Sequence, residues 1–220
     1  MGPAGRVIGL DISPELLAAA AAEPGEDGAA PLEWVTADVV TWRPGDLTVD
    51  VVISRFGVMF FSDPAVAFAR LAAVTRPSGR LAMAVWARRD ESDLFAVPMH
   101  AVVEELRRRG VAVDVPPDDD GAFSLHDPAV VTALLTGAGW SGVRCAPHRL
   151  MLPFGEGVDP ASAARVVLDF GPARPLAAKL GDDGRAAVTG AITAAFTERL
   201  DGGCIELGAR ILLVTASRPY

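Results

Sequence analysis

The feature that most constrains the fold is a strand-to-helix unit near the start of the chain, from Gly5 to Ser13. The run is apolar as far as Leu10, ends on Asp11, and passes through Ser13 and Pro14 into an alanine-rich segment. A serine cap followed by proline at the first helical position is a typical helix start. Because strands and helical patterns continue to alternate, we predict an α/β fold with a mostly parallel sheet and right-handed crossovers.

Short apolar runs without polar alternation predict strands that are buried on both faces of the sheet. These predicted strands are residues 6–11, 32–36, 49–54 and 80–86. Two later strands are also predicted, residues 143–152, which alternate, and residues 209–215. Helices are predicted to start after Ser13, Asp63, Asp127 and Asp159, each of which precedes a proline. Further helices are predicted over 94–109 and 185–200, and the turn Pro77-Ser78-Gly79 is expected to end the helix that starts after Asp63.

The charge and the cysteine pattern exclude several classes of function. A formal net charge of -8 and a pI near 4.9 argue against a nucleic-acid partner, because phosphate binding needs a basic face. The basic run 107–109 is expected to be a solvated helix end.

Cys145 and Cys204 lack metal-site spacing, so no metal is expected. No signal peptide or membrane span is recognised, so we expect no membrane partner and a cytoplasmic protein.

Polar or aromatic residues follow successive predicted strands at the edge where parallel sheets bind ligands. Asp11 ends the first strand, and Asp38 follows the second. The segment 54–57, Ser-Arg-Phe-Gly, follows the third, and Trp86 closes the fourth. A single acid after a strand is often a helix cap, but the order and spacing of all four features indicate a ligand site.

The stretch from residue 5 to residue 86 resembles the class I S-adenosylmethionine-dependent methyltransferases, of the small-molecule type related to the quinone-biosynthesis enzymes. The motifs that carry this resemblance are Gly-Arg-Val-Ile-Gly-Leu-Asp-Ile-Ser at 5–13, Ala-Asp-Val at 37–39, Asp-Val-Val-Ile-Ser-Arg-Phe-Gly-Val-Met-Phe-Phe at 50–61, and Arg-Pro-Ser-Gly-Arg-Leu at 76–81. The resemblance implies a Rossmann-like methyltransferase sheet and S-adenosylmethionine as the cofactor.

The resemblance also implies roles for individual residues. Asp11 would accept hydrogen bonds from both ribose hydroxyls, and Ile12 would pack on the adenine face. Asp38 would accept from the adenine amino group while the backbone N–H of Val39 donates to the ring. The residues expected beside the methionine part are Ser54, Arg55 and Phe56. The apolar wall near the sulfonium, or alternatively plain core, would be formed by Phe56, Met59, Phe60 and Phe61.

One element of the family pattern is absent: the first, central strand with its glycine-rich loop. Residues 1–5 resemble instead the turn before the family's second strand. A missing central strand would leave two rows of backbone groups unpaired, at about 1–3 kcal/mol for each buried group. We therefore expect the gene product to start further upstream, or the chain to repack or to borrow a strand.

We expect one domain in three segments. Residues 1–86 would form the truncated cofactor-binding half, 87–141 a small helical cap over the acceptor, and 142–220 the closing strands and helices. The acceptor is expected to be an apolar or aromatic small molecule, and a homodimer is left open. The residues that could contact the acceptor are Met59, Phe60, Trp86, Met99 and Phe123.

Methyl transfer needs a base only where the acceptor must lose a proton, and His100, in the cap helix, is the candidate.

Two other functions remain open. A dinucleotide oxidoreductase also uses an acid after its second strand, but here no Tyr-Lys pair is visible, since the one tyrosine is Tyr220. A non-catalytic interaction or scaffold protein is favoured by the missing glycine loop and opposed by the presence of Asp11 and Asp38.

Overall fold

The structure is a computed structural model that describes residues 2–25, 27–115, 117–119, 121–155 and 157–220. Strands and helices alternate through the first half of the chain, and helices predominate between the last long strands. In chain order the elements are β1 (Val7–Asp11), α1 (Pro14–Ala22), β2 (Leu32–Thr36), β3 (Val49–Arg55), α2 (Pro64–Val74), β4 (Thr75–Trp86), α3 (Asp93–Arg108), α4 (Pro128–Gly137), β5 (Ser141–Phe154), α5 (Pro160–Asp169), α6 (Arg174–Ala177), α7 (Asp182–Thr197), β6 (Leu200–Asp201) and β7 (Cys204–Ser217).

The strands form two separate sheets. β1 and β2 pair in parallel, with Asp11 opposite Thr36. The second sheet has the order β3-β4-β7-β5, with β6 added to β7. Only β3 and β4 are parallel there, because β7 runs antiparallel to β4, β5 and β6. The predicted α/β fold is confirmed, but the expected mostly parallel sheet is limited to the first four strands.

The expectation that the early strands are buried on both faces is wrong. In β2 four of five residues are exposed, and in β3 exposed residues alternate with half-buried ones. For β3 the reason is that the large sheet is covered on one face by α2 and α4, whose residues Phe68 and Leu135 are fully buried against it. Single-face burial is the usual arrangement of a sheet with helices on one side.

The predicted helix starts are confirmed by their capping geometry. The side chain of Ser13 accepts from the backbone N–H of Leu16 at 3.1 Å, and Asp63 accepts from that of Val66 at 3.0 Å. Asp127 caps α4 in the same way, as Asp159 caps α5. Each oxygen satisfies a backbone donor that has no partner within its helix.

The segment Pro77-Ser78-Gly79 lies inside β4 and does not form the expected helix-ending turn. The helix α2 ends earlier, at Val74. The N–H of Ser78 donates to the carbonyl of Arg218 at 3.0 Å, and the N–H of Arg218 donates to the carbonyl of Gly79 at 2.9 Å. These bonds to the end of the chain hold the segment in the sheet, with Ser78 at a φ of 64°.

Buried side chains form two clusters. The first lies between the large sheet and the helices α2 and α4, and it includes the fully buried Phe68 and Trp140. The second is formed by α3, α5, α6, α7 and the start of β7, and it includes Leu106, Ile192 and Phe196. The cap helix α3 therefore packs on the later helices as well as on the sheet.

The basic run at the end of α3 is more than a solvated helix end. Arg108 and Arg109 both pair with Glu105, whose side chain is buried, while Arg107 pairs with the exposed Glu104. The hydrogen bonds from Arg109 and then from Arg108 hold the pKa of Glu105 below its ordinary value. A buried carboxylate of this kind needs its partners, because an unpaired buried charge is costly.

Candidate functional site

The two acidic residues predicted to bind the cofactor lie at the same edge of the small sheet. β1 ends at Asp11, which pairs with Thr36 at the end of β2, and the N–H of Ala37 donates to the carbonyl of Asp11 at 2.9 Å. Asp38 follows directly. Both acids therefore lie at the carboxyl edge of the small sheet, where parallel strands present ligand-binding groups.

Each of these acids is fixed by a bond to the backbone two residues further along. Oδ1 of Asp11 accepts from the N–H of Ser13 at 2.8 Å, and Oδ1 of Asp38 accepts from the N–H of Val40 at 2.8 Å. Both carboxylates are partly buried. An Asx turn uses one carboxylate oxygen, so the side chain is held in place while Oδ2 can face a ligand.

The residues next to the two acids differ in exposure. Ile12 exposes 70% of its surface. Val39 is buried and belongs to the first cluster. The structure thus places an open apolar surface beside Asp11 and a packed one beside Asp38.

β3 ends in a residue with unusual backbone geometry. Arg55 is exposed at the end of the strand, and Phe56 follows with a φ of 59°. The N–H of Phe56 still donates to the carbonyl of Ala84 in β4, at 3.0 Å. A bulky residue in the left-handed region is rare and costs of the order of 1–3 kcal/mol, and such residues cluster at functional sites.

An aromatic cluster lies beside this turn. Phe56 stacks on Trp86 with ring centroids 4.3 Å apart, Trp86 meets Phe95 edge to face at 5.0 Å, and Phe95 meets Phe123 at 5.1 Å. The guanidinium of Arg89 lies 5.9 Å from the centre of the Phe123 ring. Trp86, the last residue of β4, is thereby in contact with the predicted cap through Phe95 and Phe123.

Sequence reasoning missed an ion pair that holds the cap loop. Arg89 contacts Asp118 through its guanidinium and its backbone N–H, both at 3.0 Å, and the two side chains are largely buried. The residues are 29 positions apart, so no local pattern could have paired them. The neighbouring Pro116 and Asp120 lie outside the described residues.

The predicted acceptor contacts are only partly brought together. Trp86, Phe123 and Met59 share the first cluster, where the sulfur of Met59 accepts from the N–H of Trp86 at 3.4 Å. Phe60 is exposed next to Met59, whereas Met99 lies in the second cluster. The structure therefore separates Met99 from the other candidates.

The histidines lie apart from the two acids. His100 is exposed on α3, in an open groove between α3 and α7 whose described lining includes none of the candidate cofactor residues. His126 follows the turn after Phe123, and its Nδ1 lies 3.0 Å from the carbonyl of that residue. His148 is exposed on β5.

The described side chains include no group of three or more His, Cys, Asp and Glu residues able to hold a metal ion. None of the described helices combines the length and the apolar character needed to cross a bilayer.

Comparison with known proteins agrees with the fold. Residues 1–83 match the family model described as "Methyltransferase domain". No curated protein matches the chain.

Among solved structures, a candidate methyltransferase of Bacillus halodurans C-125 is similar with a TM-score of 0.53 and 15% identity, over 98% of this chain and 84% of that one. The YcgJ protein of Bacillus subtilis has a TM-score of 0.50 and 16% identity, over 97% and 82% of the two chains. At these identities the likeness shows the fold. Residues 1–83 therefore match a methyltransferase domain, and the chain shares the fold of these two structures.

Proposed function

We propose that this protein transfers a methyl group from S-adenosylmethionine to an apolar or aromatic small molecule. The observation that carries the proposal is the pair of acids at the carboxyl edge of β1 and β2. Asp11 pairs with Thr36, two residues before Asp38, and each acid is oriented by its own backbone bond of 2.8 Å. Two oriented carboxylates suit a nucleoside, which offers ribose hydroxyls and an exocyclic amino group as donors.

The residues around the acids fit the remaining parts of the cofactor. Asp11 would bind the ribose through its carboxylate oxygens, and the exposed Ile12 would cover one face of the adenine. Asp38 would accept from the adenine amino group, and the backbone N–H of Val39 would donate to the ring. Burial of Ile12 under a planar ring would add a favourable hydrophobic contribution.

The end of β3 would lie beside the methionine part. Ser54, Arg55 and Phe56 are the candidates, and the exposed guanidinium of Arg55 suits a carboxylate. Phe56, whose backbone is left-handed, holds its ring stacked on Trp86. An enzyme that accelerates a reaction chiefly by aligning the reactants gains rate from side chains that are already held in position.

Bound S-adenosylmethionine supplies an activated methyl group, so the protein must chiefly align the acceptor and exclude water. The aromatic cluster of Phe56, Trp86 and Phe123 is the proposed acceptor wall, with Phe60 at its exposed side. Met59 and Met99 remain weaker candidates. His100 remains the candidate base for an acceptor that must lose a proton.

The proposal can be tested by following the methyl group. The protein is incubated with methyl-tritiated S-adenosylmethionine and a small-molecule extract, and the label that enters an organic phase is counted. The assay uses the 220-residue chain and a form extended by the residues encoded upstream. We expect labelled product from the extended form, with at least a tenfold loss on Asp11→Asn. Asp50→Asn, in an exposed ion pair with Arg76, is the matched control and should retain activity.

The absence of labelled product from both folded forms, over extracts of several polarities, would contradict the proposed function. A loss of label that is equal in Asp11→Asn and Asp50→Asn would contradict the assigned site. A cytoplasmic location, a homodimer and the three-segment division of the chain stay predictions.

A further inference from the structure

The helix α3 begins without the capping bond that its sequence offers. Ser92 stands at the N-cap position, but its side chain makes no capping hydrogen bond. The helices α1, α2, α4 and α5 are all capped by the serine or aspartate in that position. Such a bond is worth about 1 kcal/mol. The side chain at the start of α3 is therefore used for another contact.

That contact is with β7, and the next residue makes a second one. Oγ of Ser92, which is only 1% exposed, accepts from the backbone N–H of Arg210 at 3.3 Å. Oδ2 of Asp93 accepts from the backbone N–H of Gly208 at 3.1 Å. Both helix residues therefore direct their oxygens at backbone donors of one strand.

These two donors lie in an interval of the β7 edge between two other strands. On one side β4 ends, and the N–H of Ala87 donates to the carbonyl of Arg210 at 3.1 Å. On the other side β6 begins, and the N–H of Glu206 donates to the carbonyl of Arg199 at 2.9 Å. Residues two apart in a strand face the same edge. The side chains of Ser92 and Asp93 thus replace a strand where the backbone of β7 would otherwise lack acceptors.

Asp93 also joins α3 to the end of α7. Nε of Arg199, just after α7, donates to the same Oδ2 at 3.3 Å, and its Nη1 donates to the carbonyl of Ala195 at 2.8 Å. A Cβ atom at Gly208 would lie 3.3 Å from this oxygen, a close approach that favours glycine. One carboxylate oxygen therefore fixes three elements relative to each other.

The aromatic cluster follows directly from this junction. The N–H of Phe95 donates to the carbonyl of Ser92 at 3.0 Å. The ring of Phe95 meets Trp86 edge to face at 5.0 Å, and Trp86 stacks on Phe56 at 4.3 Å. Because packed side chains transmit small shifts, the place where α3 starts determines how Phe95 supports Trp86.

We propose that Ser92 and Asp93 are positioning residues for methyl transfer. By holding the start of α3 on the edge of β7, they place Phe95 against Trp86 and so fix the wall that faces the acceptor. This inference rests on the proposed function for the identity of that wall. A cap on α3 would stabilise the helix alone, whereas the observed bonds specify where the helix lies on the sheet. Local rules are often broken in this way where a site must be held in place.

A spectroscopic signature of Trp86 tests the positioning role without cofactor or acceptor. The chain is labelled with nitrogen-15, and the Trp86→Phe variant identifies the Trp86 signal among the indole N–H signals. We expect Asp93→Ala to shift the Trp86 signal, because the ring of Phe95 moves, and to leave the signals of the distant Trp34 and Trp42 in place. An unmoved Trp86 signal would overturn the proposal.

Two further variants separate positioning from a general loss of structure. Asp93→Asn keeps an oxygen for the N–H of Gly208, so it should leave the Trp86 signal near its original position. Asp90→Ala removes an exposed ion pair with Arg88 and is the matched control, with no expected shift. An equal shift in Asp90→Ala and Asp93→Ala would contradict the proposal. If Asp93→Ala does not fold, Gly208→Ala takes its place, since its Cβ would press on the carboxylate.

The second readout compares methyl transfer with cofactor binding. In a form that transfers the label, Asp93→Ala should lower methyl transfer about tenfold or more, since a misplacement of about 1 Å can cost about 100-fold. Its affinity for S-adenosylhomocysteine should stay unchanged, because the edge at Asp11 is not involved. Equal losses of transfer and of affinity would contradict a positioning role. If no form transfers the label, the proposed function fails, and the Trp86 signal still decides whether Asp93 positions the cluster.

Discussion

The rings of Phe56 and Trp86 stack with centroids 4.3 Å apart and planes inclined by 13°. This contact joins the turn after β3 to the end of β4, and Phe56 makes it with a backbone φ of 59°. Aromatic stacking contributes about 0.5–1.5 kcal/mol beyond area burial, which is comparable with the cost of the left-handed backbone. The packing around Trp86 therefore maintains a strained residue at the predicted site.

A first prediction follows from the opposition between backbone strain and packing at Phe56. Both Phe56→Ala and Phe56→Gly lose the stacking, but only glycine adopts a positive φ without strain. We expect Phe56→Gly to be more stable than Phe56→Ala by about 0.5–1 kcal/mol, the reverse of their order in ordinary strands. Urea unfolding of the two variants measures this difference. A more stable alanine variant would contradict the assigned backbone geometry.

A second prediction concerns the pH dependence of stability. Oε1 of Glu105 accepts from Nε of Arg109 at 2.6 Å, and the pKa of this carboxyl is lowered below its ordinary value of 4.5. A lowered folded-state pKa gives stability that is present above the unfolded value and is lost as the pH falls through the folded value. We expect Glu105→Gln to lower the thermal midpoint at pH 7 and to lose this effect in acid.

The neighbouring acid is a matched control for that measurement. Glu104 pairs with Arg107 at 2.9 Å, but both side chains are more than half exposed. Exposed pairs contribute little, so Glu104→Gln should change the midpoint slightly at any pH. If the thermal midpoint depended on pH in the same way in both variants, the prediction that the buried Glu105 stabilises the fold more than Glu104 would be contradicted.

A third prediction concerns a buried hydrogen bond between distant segments. Nε1 of Trp140 donates to the carbonyl of Phe68 in α2 at 3.1 Å, and both side chains are almost fully buried. Trp140→Phe leaves that carbonyl without its donor, at a cost of about 1–3 kcal/mol. We expect a matching fall in the free energy of unfolding, measured with denaturant. The same change at the exposed Trp34 should cost much less.

Local features of the sequence were the most predictable. Ser13, Asp63 and Asp127 each precede a proline, and each caps the predicted helix, because capping depends on residues within one turn. The strands before Asp11 and Asp38 were also predictable, since both are short apolar runs with a clear end. These features are sufficient to place the candidate cofactor site.

Features that depend on distant segments were not predictable. The antiparallel pairing of β7 and the single covered face of β3 depend on which elements meet in space. The pair Arg89–Asp118 has no local signal. Met99 was grouped with Trp86 because both are apolar and lie near the cap, but α3 also packs on α5 and α7, and Met99 lies among those helices.

Direct titration of S-adenosylhomocysteine by calorimetry tests the central claim, that the edge formed by Asp11 and Asp38 binds the cofactor. Titrations use the 220-residue chain and the form extended upstream, each checked for a folded state. We expect binding by the extended form and a loss of at least about 10-fold in affinity on Asp11→Asn, as a charge-assisted hydrogen bond implies. Asp50→Asn should bind normally. The absence of binding by both folded forms, or binding unchanged by Asp11→Asn, would contradict the account.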